Sequence, residues 1–580
     1  MFLLFSALLL GIQCSAVHAS SAQVIDTGKH ISYNGFTRNG SDSFLNIRYA
    51  KDTGLRRFGP PEAFVPAVGT AFNNTVAGKS CPQPTGGTSD YNTVLQSSDI
   101  SEDCLNLLVV RPTGIGPNTK LPVMVYIYGG GLFTGTAYER VLTGEGLVSE
   151  SVKNGLPVIY VAMNYRLNIF GFALSEPLRG EKSLNVGLRD QRLALDWVQE
   201  NIVHFGGDKD KVTIFGQSSG ALSVTMQITA FGGTQKAPFQ QAIIESTALE
   251  PTQTSNLTLD TFNAVAKLSG CSNGTDPQSA STLACLRGLS MESLFNATLT
   301  KQALDAANNI GDTYLPTIDG DFVPEAPSAL LAAGKFSRIP FMAGWMKDDA
   351  TPFTLTTIQT TADTLAYISI TSPGLTPATL NSLLALYPIT DFAPNTTPAL
   401  SAEFYRTAQI FRDILLTCPN FLLGAAMAKK FTSKSPPIYL FMQNQTILDS
   451  KPTGPTGLGI IHTSELPYVF GQFADYNTTN STLFPTASDY ELHERQSRSW
   501  STFAWTGRPS IDGKRTLEGW TGSYDEWTGD VEGISGTKVY TIGGGNAGLS
   551  AIQQGAIAAQ KLASRCAYLN SADVIKQLKY

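Results

Sequence analysis

The chain has 580 residues, of which 42% are hydrophobic and only 15% charged, with 30 Phe and 20 Tyr. That composition supplies a large core and excludes a disordered chain. A net charge of −6, with no run rich in Lys and Arg, argues against a nucleic-acid groove or an anionic-membrane patch and leaves a small molecule as the expected partner.

In chain order, the apolar stretch Phe2–Ile12 is too short to span a bilayer and fits the core of a signal peptide, with Val17-His18-Ala19 as the cleavage site, so residues 1–19 are expected to be removed. Cleavage also removes Cys14 and leaves Cys81, Cys104, Cys271, Cys285, Cys418 and Cys566, an even set suited to an oxidising compartment. Glycosylation sequons at Asn39, Asn73, Asn256, Asn273, Asn296, Asn395, Asn444, Asn477 and Asn480 agree with secretion. The C-terminal Lys576-Gln577-Leu578-Lys579-Tyr580 is neither an apolar anchor nor a retention signal, so a soluble extracellular product with no integral membrane association is expected.

Short apolar runs at Val123–Tyr128, Val158–Asn164, Val212–Phe215, Ala242–Ile244, Ile339–Ala343 and Ile438–Phe441 do not alternate, as expected of strands covered on both faces of a parallel sheet. Between the second and third, Leu188–Phe205 has helical apolar spacing and reads as a β-α-β crossover. The segment Thr351–Thr397, rich in Thr, Pro and Leu, reads as an inserted cap. A single α/β domain over residues 20–580 is simpler than several domains.

Three features carry chemistry. Gly129-Gly130-Gly131 follows the first strand and could present bare amides to a developing oxyanion; it lacks the Lys-Ser/Thr of a phosphate loop. Gly216-Gln217-Ser218-Ser219-Gly220 stands between the strand Val212–Phe215 and the helix-compatible Ala221–Ile228, the arrangement of a nucleophile elbow. A serine needs a base, and the histidines after it are His462 and His493. His493 lies in a polar, helix-like stretch and reads as solvated surface, whereas His462 lies in a loop beyond the strand Ile438–Phe441, which favours it. The orienting acid is expected beyond Ile339–Ala343, where Asp348 and Asp349 are adjacent candidates; Asp319 and Asp321 are more remote ones.

With these motifs in place, the chain resembles the type-B carboxylesterase/lipase family, which includes cholinesterases and secreted fungal esterases. The likeness runs through Leu55–Pro61, Glu102–Leu107, Tyr126–Leu132, Asn164–Arg166, Asn185–Trp197, Phe205–Asp208, the elbow, Lys347–Asp349, Gly459–His462 and Thr506–Pro509. The resemblance implies an α/β-hydrolase fold, a large mostly parallel sheet flanked by helices with cap insertions, and no cofactor or metal. It implies Ser218 as nucleophile, His462 as base and Asp349 as acid, where most relatives carry Glu. The amides of Gly130, Gly131 and Ser219 would form the oxyanion hole, and Ser246 matches a family serine near the acid. Arg57 with Glu102 and Arg166 with Asp190 match structural ion pairs, and the cysteines would pair as Cys81–Cys104, Cys271–Cys285 and Cys418–Cys566.

The implied reaction is hydrolysis of an ester through an acyl-enzyme, lost in acid as His462 protonates. Two departures narrow the substrate. The loop Pro82–Asp103 has no Trp to hold a quaternary ammonium, and Gln217 replaces the family's usual Glu, so choline esters are disfavoured. The same loop would be the lid of a lipase, yet Tyr91, Val94, Leu95 and Ile100 are its only larger apolar residues, which favours short- to medium-chain esters over triglyceride. The alternatives are a lipase or steryl esterase on long chains, an acyltransferase sharing the acyl-enzyme, and a non-enzymatic cholinesterase-like binding module. Oligomeric state is not legible in the sequence.

Overall fold

A computed structural model describes residues 20–85, 99–246, 249–308, 311–431, 437–448, 456–477, 483–525, 534 and 536–580. The signal segment 1–19, the loop residues Tyr91, Val94 and Leu95, and the sequon residue Asn480 lie outside the described residues. The strands are β1 (Ser20–Asp26), β2 (Ile31–Arg38), β3 (Ser41–Arg48), β4 (Ala71–Asn73), β5 (Asn106–Pro112), β6 (Leu121–Ile127), β7 (Ile159–Met163), β8 (Gly207–Gln217), β9 (Gln241–Glu245), β10 (Phe341–Met346), β11 (Asn395–Thr396), β12 (Ala399–Leu400), β13 (Ile438–Gln443), β14 (Lys538–Ile542) and β15 (Gly548–Ala551).

All but the small hairpin β11–β12 join one 13-stranded sheet, ordered β1-β2-β3-β5-β7-β6-β8-β9-β10-β13-β14-β15, with β4 beside β2. The pairings from β7 through β14 are parallel. Antiparallel strands extend the sheet at both edges. Every residue of β6, β7, β10 and β13 is buried, which explains their unbroken apolar runs: helices cover both faces of the sheet. The antiparallel edge was not anticipated, because β2 alternates buried and half-buried positions and carries no such run.

The parallel strands fall close to the expected runs, with shifts that matter for the loops. Tyr128 has already left β6 and entered the glycine turn. At β10 the ladder starts two residues late, after Pro340, which has no N–H to donate, and continues through Met346, so Lys347 opens the next loop. The crossover between β7 and β8 is the helix Val186–Asn201, which turns inward Val186, Leu188, Ala194, Leu195 and Val198. After β10 the chain leaves the sheet for the helices Thr361–Thr371 and Pro377–Leu386, in the segment expected to be a cap. Among the described residues one helix, Ala402–Ala428, is long and apolar enough by length and composition to cross a membrane, but 89% of its most apolar window is buried inside the protein, as a core helix would be.

Disulfides join Cys81 to Cys104, Cys271 to Cys285, and Cys418 to Cys566. Arg166 Nε and Nη2 donate to the two carboxylate oxygens of Asp190 at 2.7 and 2.6 Å, and Nη1 donates to Gly59 O at 2.8 Å. Arg57 pairs with Glu102 and also donates to Leu286 O and Leu289 O at 2.8 and 2.7 Å, pinning the segment before Met291–Ala307 to the N-terminal loops. Six of the described sequon residues, Asn39, Asn73, Asn256, Asn273, Asn296 and Asn477, are exposed; Asn395 and Asn444 are half-buried.

The bridge Cys418–Cys566 closes 148 residues and Cys271–Cys285 closes 14. Chain-entropy arguments assign them about 5 and about 3 kcal/mol of stabilisation. Replacing Cys418 and Cys566 by Ser should therefore lower the calorimetric unfolding temperature more than replacing Cys271 and Cys285; the reverse order would show that native-state packing outweighs chain entropy.

Candidate active site

In open α/β sheets the ligand site forms beyond the carboxyl ends of the strands. Here β6, β8, β10 and β13 lead into the segments that hold Gly129–Gly131, Ser218, Asp349 and His462.

Ser218 joins β8 directly to the helix Ser219–Thr229, with φ 59° and ψ −132°, a strained conformation for a residue with a side chain. Its amide donates to Glu245 O at 2.8 Å, tying the turn to β9. The flanking glycines are required by contact: a Cβ on Gly220 would stand 2.1 Å from Ile127 O, and one on Gly216 2.6 Å from the Gly220 backbone. A Cβ on Gly129 would meet Gln217 O at 2.4 Å. The glycine turn thus lies against the elbow.

Gly130 and Gly131 have φ of 110° and 63°, and their turn is held by Phe133 and Thr134 amides donating to Gly130 O at 3.0 Å. Ser219 Oγ accepts from the Leu132 amide at 3.0 Å, a second clamp between turn and elbow. Among the described residues the amides of Gly130 and Gly131 donate to no carbonyl. The amide of Ser219 opens a helix, where the first N–H groups have no intrahelical acceptor.

Of the two adjacent acids, Asp349 meets the histidine. His462 Nδ1 lies 2.6 Å from Asp349 Oδ1, and Asp349 Oδ2 accepts from Ser246 Oγ at 2.7 Å and from the Met346 amide at 2.8 Å. Asp349 is fully buried, so these donors replace its lost hydration. Asp348 works on the backbone of the histidine loop, accepting from the Ile460 amide at 2.9 Å while its own amide donates to Ile460 O at 3.0 Å. Asp319 and Asp321 pair with Arg189 instead. His493, read from the sequence as solvated, is half-buried: its Nδ1 is 2.9 Å from Tyr468 O, its ring packs on Phe473, and desolvation lowers its pKa.

The second nitrogen of His462 faces Gln217, whose Nε2 is 3.0 Å away. With the Nδ1 proton directed at Asp349, the amide of Gln217 donates to Nε2. Ser218 Oγ makes no hydrogen bond to the ring among the described residues, but both side chains line one cavity of about 540 Å³. The ring of Phe353 stands edge-on to His462 at 5.1 Å. Tyr367 of the helix Thr361–Thr371 and Phe411 and Leu415 of the long helix Ala402–Ala428 also line the cavity. Among the described residues no group of three or more His, Cys, Asp or Glu side chains could hold a metal ion.

A set of buried acids beside this site was not singled out from the sequence. Glu245, at the end of β9, accepts from Trp500 Nε1 at 2.9 Å, and burial raises its pKa to about 8. Glu465, three residues past His462, is fully buried and raised well above the ordinary range by burial and by Glu245 and Asp349. Glu139 lines a smaller cavity beneath the glycine turn with Tyr128, Gly130 and Gln217; its Oε1 has no hydrogen-bond partner among the described residues, and burial raises it to about 8. Asp312 and Glu250 line the main cavity itself. A spacing signal existed only for Glu465, whose place in His462-Thr463-Ser464-Glu465 sets it one turn from the histidine.

The carboxylesterase family model matches residues 14–530. The chain belongs to the carboxylesterase family. As a member it is a carboxylic-ester hydrolase. It is 43% identical over 571 residues to a secreted lipase of Arthroderma benhamiae, covering 98% of this chain and 97% of that one. It is 36% identical over 523 residues to an inactive carboxylesterase-like protein of Byssochlamys spectabilis, covering 87% of each. The crystal structure of EstA from Aspergillus niger superposes with a TM-score of 0.76 at 25% identity, covering 96% of this chain and 99% of that one. The fold is thus the α/β-hydrolase fold of esterases.

Two outcomes follow from the buried charges. A glutamate at 139 stays protonated in the folded carboxylesterase up to about pH 8, against 4.5 ordinarily. The folded state therefore binds the extra proton, and stability falls as pH rises between those values and is level outside them. Glu139→Gln should stabilise the protein by about 1–3 kcal/mol at pH 8 and hardly at all at pH 4; equal shifts in unfolding temperature at both pH values would contradict this. Gln217→Glu would place a carboxylate against His462 Nε2 and favour the imidazolium. The acid limb of the rate profile should then move up by about one pH unit, and an unmoved limb would mean that Gln217 does not face the working imidazole.

Proposed function

We propose that this carboxylesterase is secreted after loss of residues 1–19 and that residues 20–580, as one domain, hydrolyse short- to medium-chain esters through an acyl-enzyme on Ser218. The observation that carries the reading is the 2.6 Å contact of His462 with Asp349 at the rim of the cavity that Ser218 enters on a strained turn.

Ser218 Oγ attacks the ester carbonyl as His462 Nε2 takes its proton. For this the ring must exchange its hydrogen bond from Gln217 for one from Ser218, which lines the same cavity. Asp349 holds the Nδ1–H tautomer and stabilises the imidazolium, and its own orientation is held by Ser246 and the Met346 amide. The tetrahedral oxyanion is received by the amides of Gly130, Gly131 and Ser219, each donor contributing on the order of 3 kcal/mol at the transition state. His462 returns the proton to the leaving alcohol, and water attacks the acyl-enzyme by the same route in reverse.

Secretion is supported by the apolar leader, the three disulfides and the secreted relative. The exposed sequon residues Asn39, Asn73, Asn256, Asn273, Asn296 and Asn477 are the proposed glycan acceptors. The short-chain preference rests on the polar make-up of Pro82–Asp103. The lipase from Arthroderma favours a second reading, long-chain ester hydrolysis, in this same site. The inactive relative keeps a third reading in view, a binding protein, against which the assembled Ser218, His462 and Asp349 weigh.

Rates on p-nitrophenyl esters from acetyl to palmitoyl separate these readings. Wild type should be fastest below about eight acyl carbons, and Ser218→Ala should lower kcat by at least about 10⁴-fold. A maximum at palmitoyl would transfer the protein to the lipases, and no turnover at any length would leave the binding reading.

A further inference from the structure

Asp312 and Glu250 are not used by the chemistry above, yet both line the cavity that holds Ser218 and His462. Asp312 lies against the oxyanion turn: a Cβ on Gly131 would stand 2.5 Å from its Oδ1. Neither carboxyl has a hydrogen bond or ion pair among the described residues, and no Lys or Arg lines the cavity there. The cavity wall mixes apolar Phe133, Ala306, Phe411 and Leu415 with neutral polar side chains such as Thr134 and Gln302. Two unpaired carboxyls in such a wall are costly to desolvate, and a neutral acyl chain laid over them would return nothing for that cost. A bound cation would.

We propose that the cavity selects esters whose acyl group carries a positive charge, received by Asp312 and Glu250. This rests on the ester-hydrolase reading and specifies its substrate class. The acyl side follows from the geometry of attack. The carbonyl oxygen must face Gly130 and Gly131, and the leaving oxygen must face His462 for its proton, so the acyl group is the substituent left to run along the acids. Burial raises both carboxyls, Asp312 to about 6 and Glu250, which also feels Asp312, well above the ordinary range. Near neutral pH the pair therefore carries about one negative charge, matched to one cation. His462 is the other titratable group that acts on Asp312, and it favours the ionised form.

The test compares kcat/KM for the p-nitrophenyl esters of 4-(trimethylammonio)butanoate and its uncharged isostere 5,5-dimethylhexanoate, with p-nitrophenyl butyrate as reference. At pH 7.5 the wild type should favour the charged ester by about tenfold or more. In Asp312→Asn and in Glu250→Gln the ratio should fall towards one. Each ratio is taken within one protein, so a smaller folded fraction does not alter it. If neither variant can be purified, the wild-type ratio serves: the substrate charge is fixed, so the ratio should climb between pH 5 and 7 as Asp312 ionises. A preference for the isostere at every pH, or a ratio unchanged in both variants, would overturn the proposal. A charge preference seen only with butyrylcholine against 3,3-dimethylbutyl butyrate would overturn the acyl-side placement. Loss of turnover on p-nitrophenyl butyrate itself would instead be failure of the ester-hydrolase reading.

Discussion

The site depends on how closely the backbone of the elbow approaches the end of β6. Gly220 comes so near the Ile127 carbonyl that a single added carbon would overlap it, and Gly129 comes as near to Gln217. This contact sets the glycine turn and the Ser218 turn side by side, so that the amides of Gly130, Gly131 and Ser219 can serve one oxygen. It also holds Ser218 at a positive φ, with its side chain directed into the cavity rather than the sheet. The cost of that backbone conformation is met by the surrounding parallel strands: β6 is buried at every residue and β8 from Val212 to Gln217, so neither can relax at the elbow.

A second theme is the uneven treatment of buried acids. Asp349 accepts from a serine hydroxyl, a backbone amide and the imidazole, so its burial is compensated. Glu245 has one donor, and Glu465 has none outside its own residue among those described. Burial makes both better proton holders than ordinary glutamates. A neutral Gln217 fits this surrounding, since the same burial that raises Glu139, Glu245 and Glu465 would oppose a charged carboxylate there. The sheet thus keeps a single compensated acid on the histidine and holds the neighbouring acids back by desolvation.

Much of this was legible beforehand. The apolar runs of β6 to β10 and β13 marked the parallel core because strands covered on both faces cannot alternate. G-x-S-x-G between a strand and a helix marked Ser218 because the turn needs glycine at both flanks. The antiparallel edge escaped, since β2 alternates, and so did β4, a parallel addition to β2 only three residues long. His493 was misjudged as solvated because its stretch is polar, while tertiary contact with Tyr468 and Phe473 half-buries it. Asp348 and Asp349 could not be separated by spacing, as neighbours in a loop may each point either way.

Local sequence determined the elements that depend on nearest neighbours: the strands, the crossover helix, the elbow and the glycine turn. Family likeness added the pairing of partners far apart in the chain. That likeness already pointed to Asp349 as the partner of His462; only the tertiary structure decided that Asp348 holds the Ile460 backbone, that Gln217 faces the imidazole, and that Asp312 and Glu250 meet in one cavity. Those contacts join residues from 62 to 245 positions apart. They are set by which strands lie side by side in the sheet, a property of the whole fold that no local pattern encodes.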